Sequence, residues 1–241
     1  MPEGIDVALV AVRRPELLAR TLESFGARMF AHFPVARVLA NIDPVFGGAQ
    51  EQRVCRELIL RRFPQAEIFE PAEAGFCAAV RRVWAATRAE TVFHLEDDWL
   101  LNEAVHPEQV LPLLAGDVAS VAPVQAAWKR PKLYNVRIRR TRVLGITLRR
   151  SKVNIHGTSP RFMTGAFARR CAELMDPALD PEKQMRAPHN PPLRAYIEPL
   201  KCRFLTAKDG GPLILDIGRG WREAQGIEKV VADGRSSWSE A

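Results

Sequence analysis

Three consecutive carboxylates, Glu96-Asp97-Asp98, follow the apolar run Thr91 to Leu95 and precede Trp99-Leu100-Leu101. Neighbouring carboxylates repel one another, and the arrangement costs stability unless they are solvated or bind a cation. At the end of a buried strand full solvation is hard to supply. Hard divalent ions take oxygen ligands, and Mg²⁺ typically combines one or two carboxylates with substrate phosphates and water. The triplet therefore suits a metal-diphosphate site; the competing reading is an acidic turn that only ends a strand. His94 alternates with Glu96 and Asp98 on one strand face, yet a histidine in a strand is more often a hydrogen-bonded core residue than a ligand. His156 and His189 fall in loops without an identifiable partner. Cys55, Cys77, Cys171 and Cys202 lie far apart with no Cys-x-x-Cys pair, which points to reduced core thiols rather than a zinc site or redox dithiol. No Gly-x-Ser-x-Gly, Walker A or Cys-His pattern supports another catalytic class.

The elements that must position the triplet alternate in type. Ile5 to Ala11 reads as a buried strand, and Pro15 suits the first turn of a helix carried by Leu17, Leu18, Thr21, Leu22 and Phe25. Val35 to Ile42 predicts a second strand, Val54, Cys55, Leu58 and Ile59 a second helix, and Ala66 to Phe69 a short strand. Phe76, Ala79, Val80, Val83 and Trp84 recur at helical spacing, after which Thr91 to Leu95 is a strand running into the acidic triplet. Such alternation predicts a parallel α/β sheet, in which ligands bind beyond the carboxyl ends of the strands. Further on, Asp117 to Pro123 predicts a strand, Lys129 to Lys152 two more with a loop, and Gly165 to Met175 a helix; prolines punctuate the chain from Pro177 to Pro192.

The 241 residues are 47% apolar and 26% charged, enough for a full hydrophobic core without disulfides. No window approaches the run of apolar residues that a membrane-spanning helix needs, and the opening residues lack the basic region of a secretory signal. The expectation is a cytoplasmic protein, with peripheral contact at the inner face of the membrane left open. The net charge of +7 is localised. Val118 to Ala172 holds thirteen Lys/Arg and no Asp/Glu, so the rest of the chain is net negative. Such a region suits a nucleic acid, a phosphorylated donor or an anionic acceptor.

Val7-Ala8-Leu9-Val10-Ala11-Val12-Arg13-Arg14-Pro15-Glu16-Leu17-Leu18, with Phe25 beyond it, resembles the opening strand, turn and helix of family 2 type glycosyltransferases with the GT-A fold. Asn41-Ile42-Asp43 resembles the end of that family's second strand, and Ala74-Gly75-Phe76 through Glu96-Asp97-Asp98 the segment that closes on its Asp-x-Asp motif. The resemblance implies a GT-A-like, Rossmann-type mixed and mostly parallel sheet flanked by helices. It implies one domain over 1–241, with a nucleotide-sugar half over about 1–105 and an acceptor half over about 106–241. The implied activity is metal-dependent transfer of a hexosyl or N-acetylhexosaminyl group from a nucleoside diphosphate sugar, a UDP-sugar first, to a hydroxyl of a glycan or other acceptor, with inversion.

Carried over by position, Asp98 and Glu96 are the implied ligands of Mn²⁺ or Mg²⁺. Ala11, Val12, Arg13, Asp43, Arg81, Glu96, Asp97 and Arg219 are the implied contacts to the nucleotide sugar. The turn Ala11-Val12-Arg13 replaces the usual Pro-Thr-Tyr, and Val80-Arg81 the usual Arg-Asn, so Arg13, Arg14 or Arg81 is left to meet the phosphates. Ser159 to Phe167 resembles the segment leading into the helix beside the acceptor. Asp180-Pro181-Glu182 falls where the family places its general base, Glu182 first and Asp180 second; the same three residues also make a good helix start. Asp216-Ile217-Gly218-Arg219-Gly220-Trp221 resembles the ending of small bacterial glycosyltransferase-like chains, where Arg219 suits a diphosphate clamp; alternatively it is a Gly-rich turn with Trp221 as a lid. Two other functions compete: a nucleotidyltransferase, which usually carries a Gly-rich phosphate loop with a lysine, and a non-enzymatic binder of polyanions or nucleic acid through 129–152. Trp128 and Tyr134 are too few aromatics for a stacking surface, so nucleic acid is not the expected partner.

Overall fold

The computed structural model describes residues 4–126, 136–143, 146–154, 156–186, 189–232 and 234–240. Trp128, Tyr134 and the first part of the basic stretch, Lys129, Arg130 and Lys132, lie outside the described residues. The first half alternates strand and helix: β1 (Ile5–Val12), α1 (Pro15–Arg28), β2 (Val35–Asp43), α2 (Ala49–Arg62), β3 (Glu67–Phe69), α3 (Phe76–Ala85) and β4 (Thr91–Glu96). Then come β5 (Trp99–Leu101), α4 (Pro107–Val110), a 3₁₀ turn (Leu111–Leu113), β6 (Val118–Pro123), β7 (Val136–Val143), β8 (Ile146–Asn154) and β9 (Arg161–Thr164). The rest is α5 (Gly165–Leu174), α6 (Pro181–Arg186), α7 (Pro191–Ile197), β10 (Lys201–Leu205), β11 (Ile214–Asp216), α8 (Gly218–Ala224), β12 (Ile227–Ala232) and β13 (Arg235–Glu240).

Seven strands form one sheet in the order β10-β6-β9-β4-β1-β2-β3. Its pairs are parallel except at β9, which runs antiparallel to both β4 and β6. The sheet thus takes strands from both halves of the chain. β1 explains why it is covered on both faces: by the period of two, Val7, Leu9 and Ala11 join the core with Leu18, Phe25, Cys55 and Ile59. Ala8 and Val10 join the opposite core with Val80, Val83, Trp84 and Phe167. A large aliphatic or aromatic side chain buried in this way contributes about 1.5–3 kcal/mol.

Several short elements depart from the sequence expectation. β9 is a four-residue strand ahead of the helix read at Gly165. The run Asp216 to Trp221 is not a Gly-rich turn but β11 followed by α8, and Asn190 caps α7 by accepting from Leu193 N at 3.1 Å in what reads as a proline-broken segment. The basic residues 136–154 do form two strands, but β7 and β8 make a separate antiparallel pair outside the main sheet. All four cysteines are buried thiols. Among the described residues no helix is long and apolar enough to cross a membrane.

Candidate active site

Parallel pairing brings three strand ends together. Val12 at the end of β1 lies opposite Asp43 at the end of β2, and Val10 lies opposite Glu96 at the end of β4. A cleft of about 450 Å³ opens there, and its walls include Asp43, Glu96, Asp97, Asp98, Glu182 and Arg219. Ala11 and Val12 form part of its floor.

The acidic turn is held by α1 and by the turn after β1. Thr21 Oγ1 donates to Asp97 O at 2.8 Å and accepts from Trp99 N at 3.1 Å, fixing the backbone between β4 and β5. Asp97 Oδ2 accepts from Val12 N at 3.0 Å. Arg14 Nη2 reaches Asp97 Oδ1 at 2.6 Å and Asp98 Oδ2 at 3.0 Å, and its guanidinium lies against the Phe46 and Trp221 rings at 5.8 and 5.3 Å. Burial alone disfavours the charge on Arg14, but the two carboxylates outweigh it and hold the guanidinium above its ordinary pKa. Asp98, 8% exposed, also meets Arg222 Nη1 at 3.5 Å. Burial, then Asp97 and Asp216, push the Asp98 carboxyl up to about 6 against the pull of Arg14 and Arg222. Gly218 is required here by close approach: a Cβ on it would stand 2.0 Å from Asp98 Oδ2, and Ile217 N donates to Asp98 O at 2.9 Å.

The remaining acidic groups have different duties. Glu96 accepts from Trp99 Nε1 at 3.0 Å. Asp43 Oδ1 accepts from Asn41 Nδ2 at 2.7 Å while Oδ2 accepts from Gly75 N at 3.0 Å, tying the end of β2 to the start of α3. Glu182 lies on the cleft wall, where its Oε1 accepts from Thr158 N at 3.3 Å and pairs with Arg186 Nη2 at 3.1 Å. Asp180 is buried, and its Oδ1 accepts from Glu182 N and Lys183 N at 2.9 and 3.0 Å, the geometry of a helix N-cap.

Two of the arginines expected at the donor are placed elsewhere. Arg13 donates from Nε to Gln52 Oε1 at 2.8 Å and from Nη1 to Gly47 O at 2.9 Å, so it ties the loop after β2 to α2. Arg81 donates to Ala172 O at 2.9 Å and joins α3 to α5. Neither is among the residues lining the cleft. Arg219 is, and its backbone N–H donates to Asp216 Oδ1 at 3.0 Å. Trp221, read as a lid over the core, instead backs Arg14 with Phe46. His94 is a core residue: Trp84 Nε1 donates to its Nδ1 at 3.0 Å, and burial holds it neutral with a pKa lowered to about 3. His156 is likewise buried, with Nε2 donating to Leu200 O at 3.0 Å.

The donor set can be tested against a divalent ion. Among the described residues, no three His, Cys, Asp or Glu side chains are arranged to hold a metal by themselves. Asp98 and Glu96 nevertheless line a cleft, and the burial that chiefly raises Asp98, together with the neighbouring Asp97 and Asp216 carboxylates, is a penalty on its charge that a bound cation would offset. The residues therefore fit an ion shared with phosphate and water rather than a closed protein cage.

No protein-family model matches the chain, and no curated protein matches it in sequence. Solved structures do match in fold. The chain is similar to GalNAc-T7, solved with UDP, GalNAc and Mn²⁺, at 10% identity and a TM-score of 0.55 over 88% of this chain and 43% of that one. It is similar to the mannosyltransferase PcManGT from Pyrobaculum calidifontis, solved with GDP-Man and Mn²⁺, at 13% identity and a TM-score of 0.55 over 92% of this chain and 60% of that one. It is also similar to S. aureus TarS 1-349, at 11% identity and a TM-score of 0.54 over 92% of this chain and 63% of that one. The chain thus spans less than two thirds of each of these structures, and the likeness is one of fold: the mixed, mostly parallel GT-A sheet flanked by helices.

Proposed function

We propose that this protein is a metal-dependent glycosyltransferase that moves a sugar from a nucleoside diphosphate sugar, a UDP-sugar first, to an acceptor hydroxyl with inversion at the anomeric carbon. The observation that carries the reading is the convergence of Asp43, Glu96, Asp98, Arg219 and Glu182 on one cleft at the carboxyl ends of β1, β2 and β4. The GT-A neighbours solved with UDP or GDP-Man and Mn²⁺ support the donor class. The half before about residue 105 supplies most of the donor site, joined by Arg219 from the other half, and the half after it binds the acceptor.

In this reading Asp43 meets the base, Ala11 and Val12 floor the nucleoside, and Arg219 clamps the diphosphate. Asp98 and Glu96 would hold Mn²⁺ or Mg²⁺, which would supply charge neutralisation for the departing diphosphate. Asp97 is engaged by Val12 N and Arg14, so it positions the turn rather than contacting the sugar. Glu182 takes the proton of the attacking hydroxyl. It serves before Asp180, which is committed to capping α6.

The test is a transfer assay over a panel of UDP-, GDP-, CDP- and dTDP-sugars with Mn²⁺ and mixed glycan and glycolipid acceptors. Glu182→Gln is expected to lower turnover by about 10²–10⁴-fold with donor affinity retained. Unchanged turnover in that variant removes Glu182 from the mechanism.

A further inference from the structure

Arg161, at the start of β9, is 2% exposed. Its Nε donates to Ser159 O at 3.0 Å and its Nη2 to Ser159 Oγ at 3.1 Å, while Nη1 has no hydrogen-bond partner. Among the described residues no carboxylate forms an ion pair with it. Across the sheet it lies opposite His94, which is neutral and offers no counter-charge. Burial holds the guanidinium below its ordinary pKa, and the fields of Cys202, Glu182 and Glu96 oppose this only in part. A buried cation without a counter-ion is costly, and an apolar side chain of similar volume would avoid the cost.

The neighbouring charges leave a surplus. Around Gly157 three groups converge: a Cβ there would stand 2.8 Å from Arg186 Nη2, 2.9 Å from Glu182 Oε1 and 3.3 Å from Arg161 Nη2. Glu182 is already paired with Arg186 at 3.1 Å. That pair is neutral taken together, so Arg161 remains as an unmatched positive charge.

Ser159 brings that charge to the cleft. A guanidinium has donors only, so the Ser159 hydroxyl accepts from it and turns its own proton elsewhere. Among the described residues that proton has no acceptor, and Ser159 lines the cleft together with Glu96 and Glu182. A hydroxyl polarised by a cation behind it favours an anionic oxygen over a neutral one. In the transfer reading the ion and diphosphate stand at Glu96 and Asp98, and the attacking hydroxyl at Glu182. The transferred sugar spans the interval between them, and the charge of Arg161 acts on both glutamates.

Resting on that reading, we propose that Ser159 is the subsite for a carboxylate on the transferred sugar, so that the donor is a nucleoside diphosphate uronate. The carboxylate accepts from Ser159 Oγ. Arg161 is a positioning residue that orients this hydroxyl and supplies the counter-charge. A neutral hexose leaves the buried cation unmatched, and the site discriminates by charge.

The experiment is calorimetric titration of the whole protein, with Mn²⁺, by a free nucleoside diphosphate and by the neutral and acidic forms of one hexose on whichever nucleotide binds. UDP-glucose against UDP-glucuronate and UDP-galactose against UDP-galacturonate come first. A hydrogen bond to a charged group is worth about 10–100-fold in affinity, and one uronate should exceed its neutral twin by that factor. Ser159→Ala should bring the two to parity, and Arg161→Met should do the same. Thermal melts and the affinity for the free nucleoside diphosphate report whether each variant is folded. A merely structural role for Arg161 would weaken all the ligands alike rather than erase the difference between them. Nucleotide binding with no preference for either uronate, or a preference that survives Ser159→Ala, overturns this inference and leaves the donor reading standing. Absence of any nucleotide binding by folded protein removes the donor reading, and this inference with it.

Discussion

Beneath the ends of β1 and β4, Arg14 meets Asp97 and Asp98 at 2.6 and 3.0 Å inside the molecule. Along β7 and β8, by contrast, Arg140 faces Arg150 and the ribbon contains no acidic residue. The first region balances its charges internally, and those charges shape a site. The second has seven basic residues and no acidic one within its own sequence. The overall +7 hides this division, because the excess of one region masks the deficit of the other.

The largest effect expected from breaking the comparison is at Arg14. Arg14→Met leaves Asp97 and Asp98 buried without their shared cation, and removing one partner of a buried ion pair costs about 3–5 kcal/mol. Urea unfolding should show that loss, and Mn²⁺ should recover part of it. Stability equal to wild type would mean that the carboxylates do not depend on Arg14.

The next effect is a pH dependence at Asp98, whose carboxyl is raised from an ordinary 3.8 to about 6. Between these values the folded state holds a proton that the unfolded state has released, so stability falls as pH rises from about 4 to about 6 and levels off above. Cation affinity should rise over the same window, because the ion competes with that proton. Urea midpoints against pH, with and without Mn²⁺, measure both trends, and Asp98→Asn should flatten them. Stability rising through that window because of Asp98 would contradict the assigned direction.

The smallest effect is in the hairpin. Arg140→Gln with Arg150→Gln removes like charges that face each other across the ladder, and should leave stability unchanged or raise it by about 0.2–1 kcal/mol. A thermal melt checks this. A marked loss would show that these arginines have partners within the fold.

The strands and helices through β4 were legible because both sheet faces are buried and the apolar spacing switches cleanly between two residues and helical periods. The acidic strand end was legible for the same reason: the run Thr91 to Leu95 fixes where β4 stops. Which arginine turns inward was not. Arg13 and Arg14 are neighbours of one type, and the choice is made by the tight turn from Arg14 N to Val12 O at 2.7 Å and by Phe46 and Trp221, distant in sequence. Phe46 adopts φ 64°, and nothing in its type announces that backbone. Asp180-Pro181-Glu182 supported both a capping and a catalytic reading; the geometry gives the cap to Asp180 and the cleft wall to Glu182. α8 escaped notice because two glycines read as a turn, whereas Gly218 is needed for contact with Asp98.

The most direct test of the central claim is calorimetric titration of UDP, GDP, CDP and dTDP into the protein with Mn²⁺, repeated with EDTA and with Asp98→Ala. The account predicts binding of one nucleotide that needs the metal and is lost in the variant. Absence of binding by folded protein, or binding indifferent to both EDTA and Asp98→Ala, would contradict it.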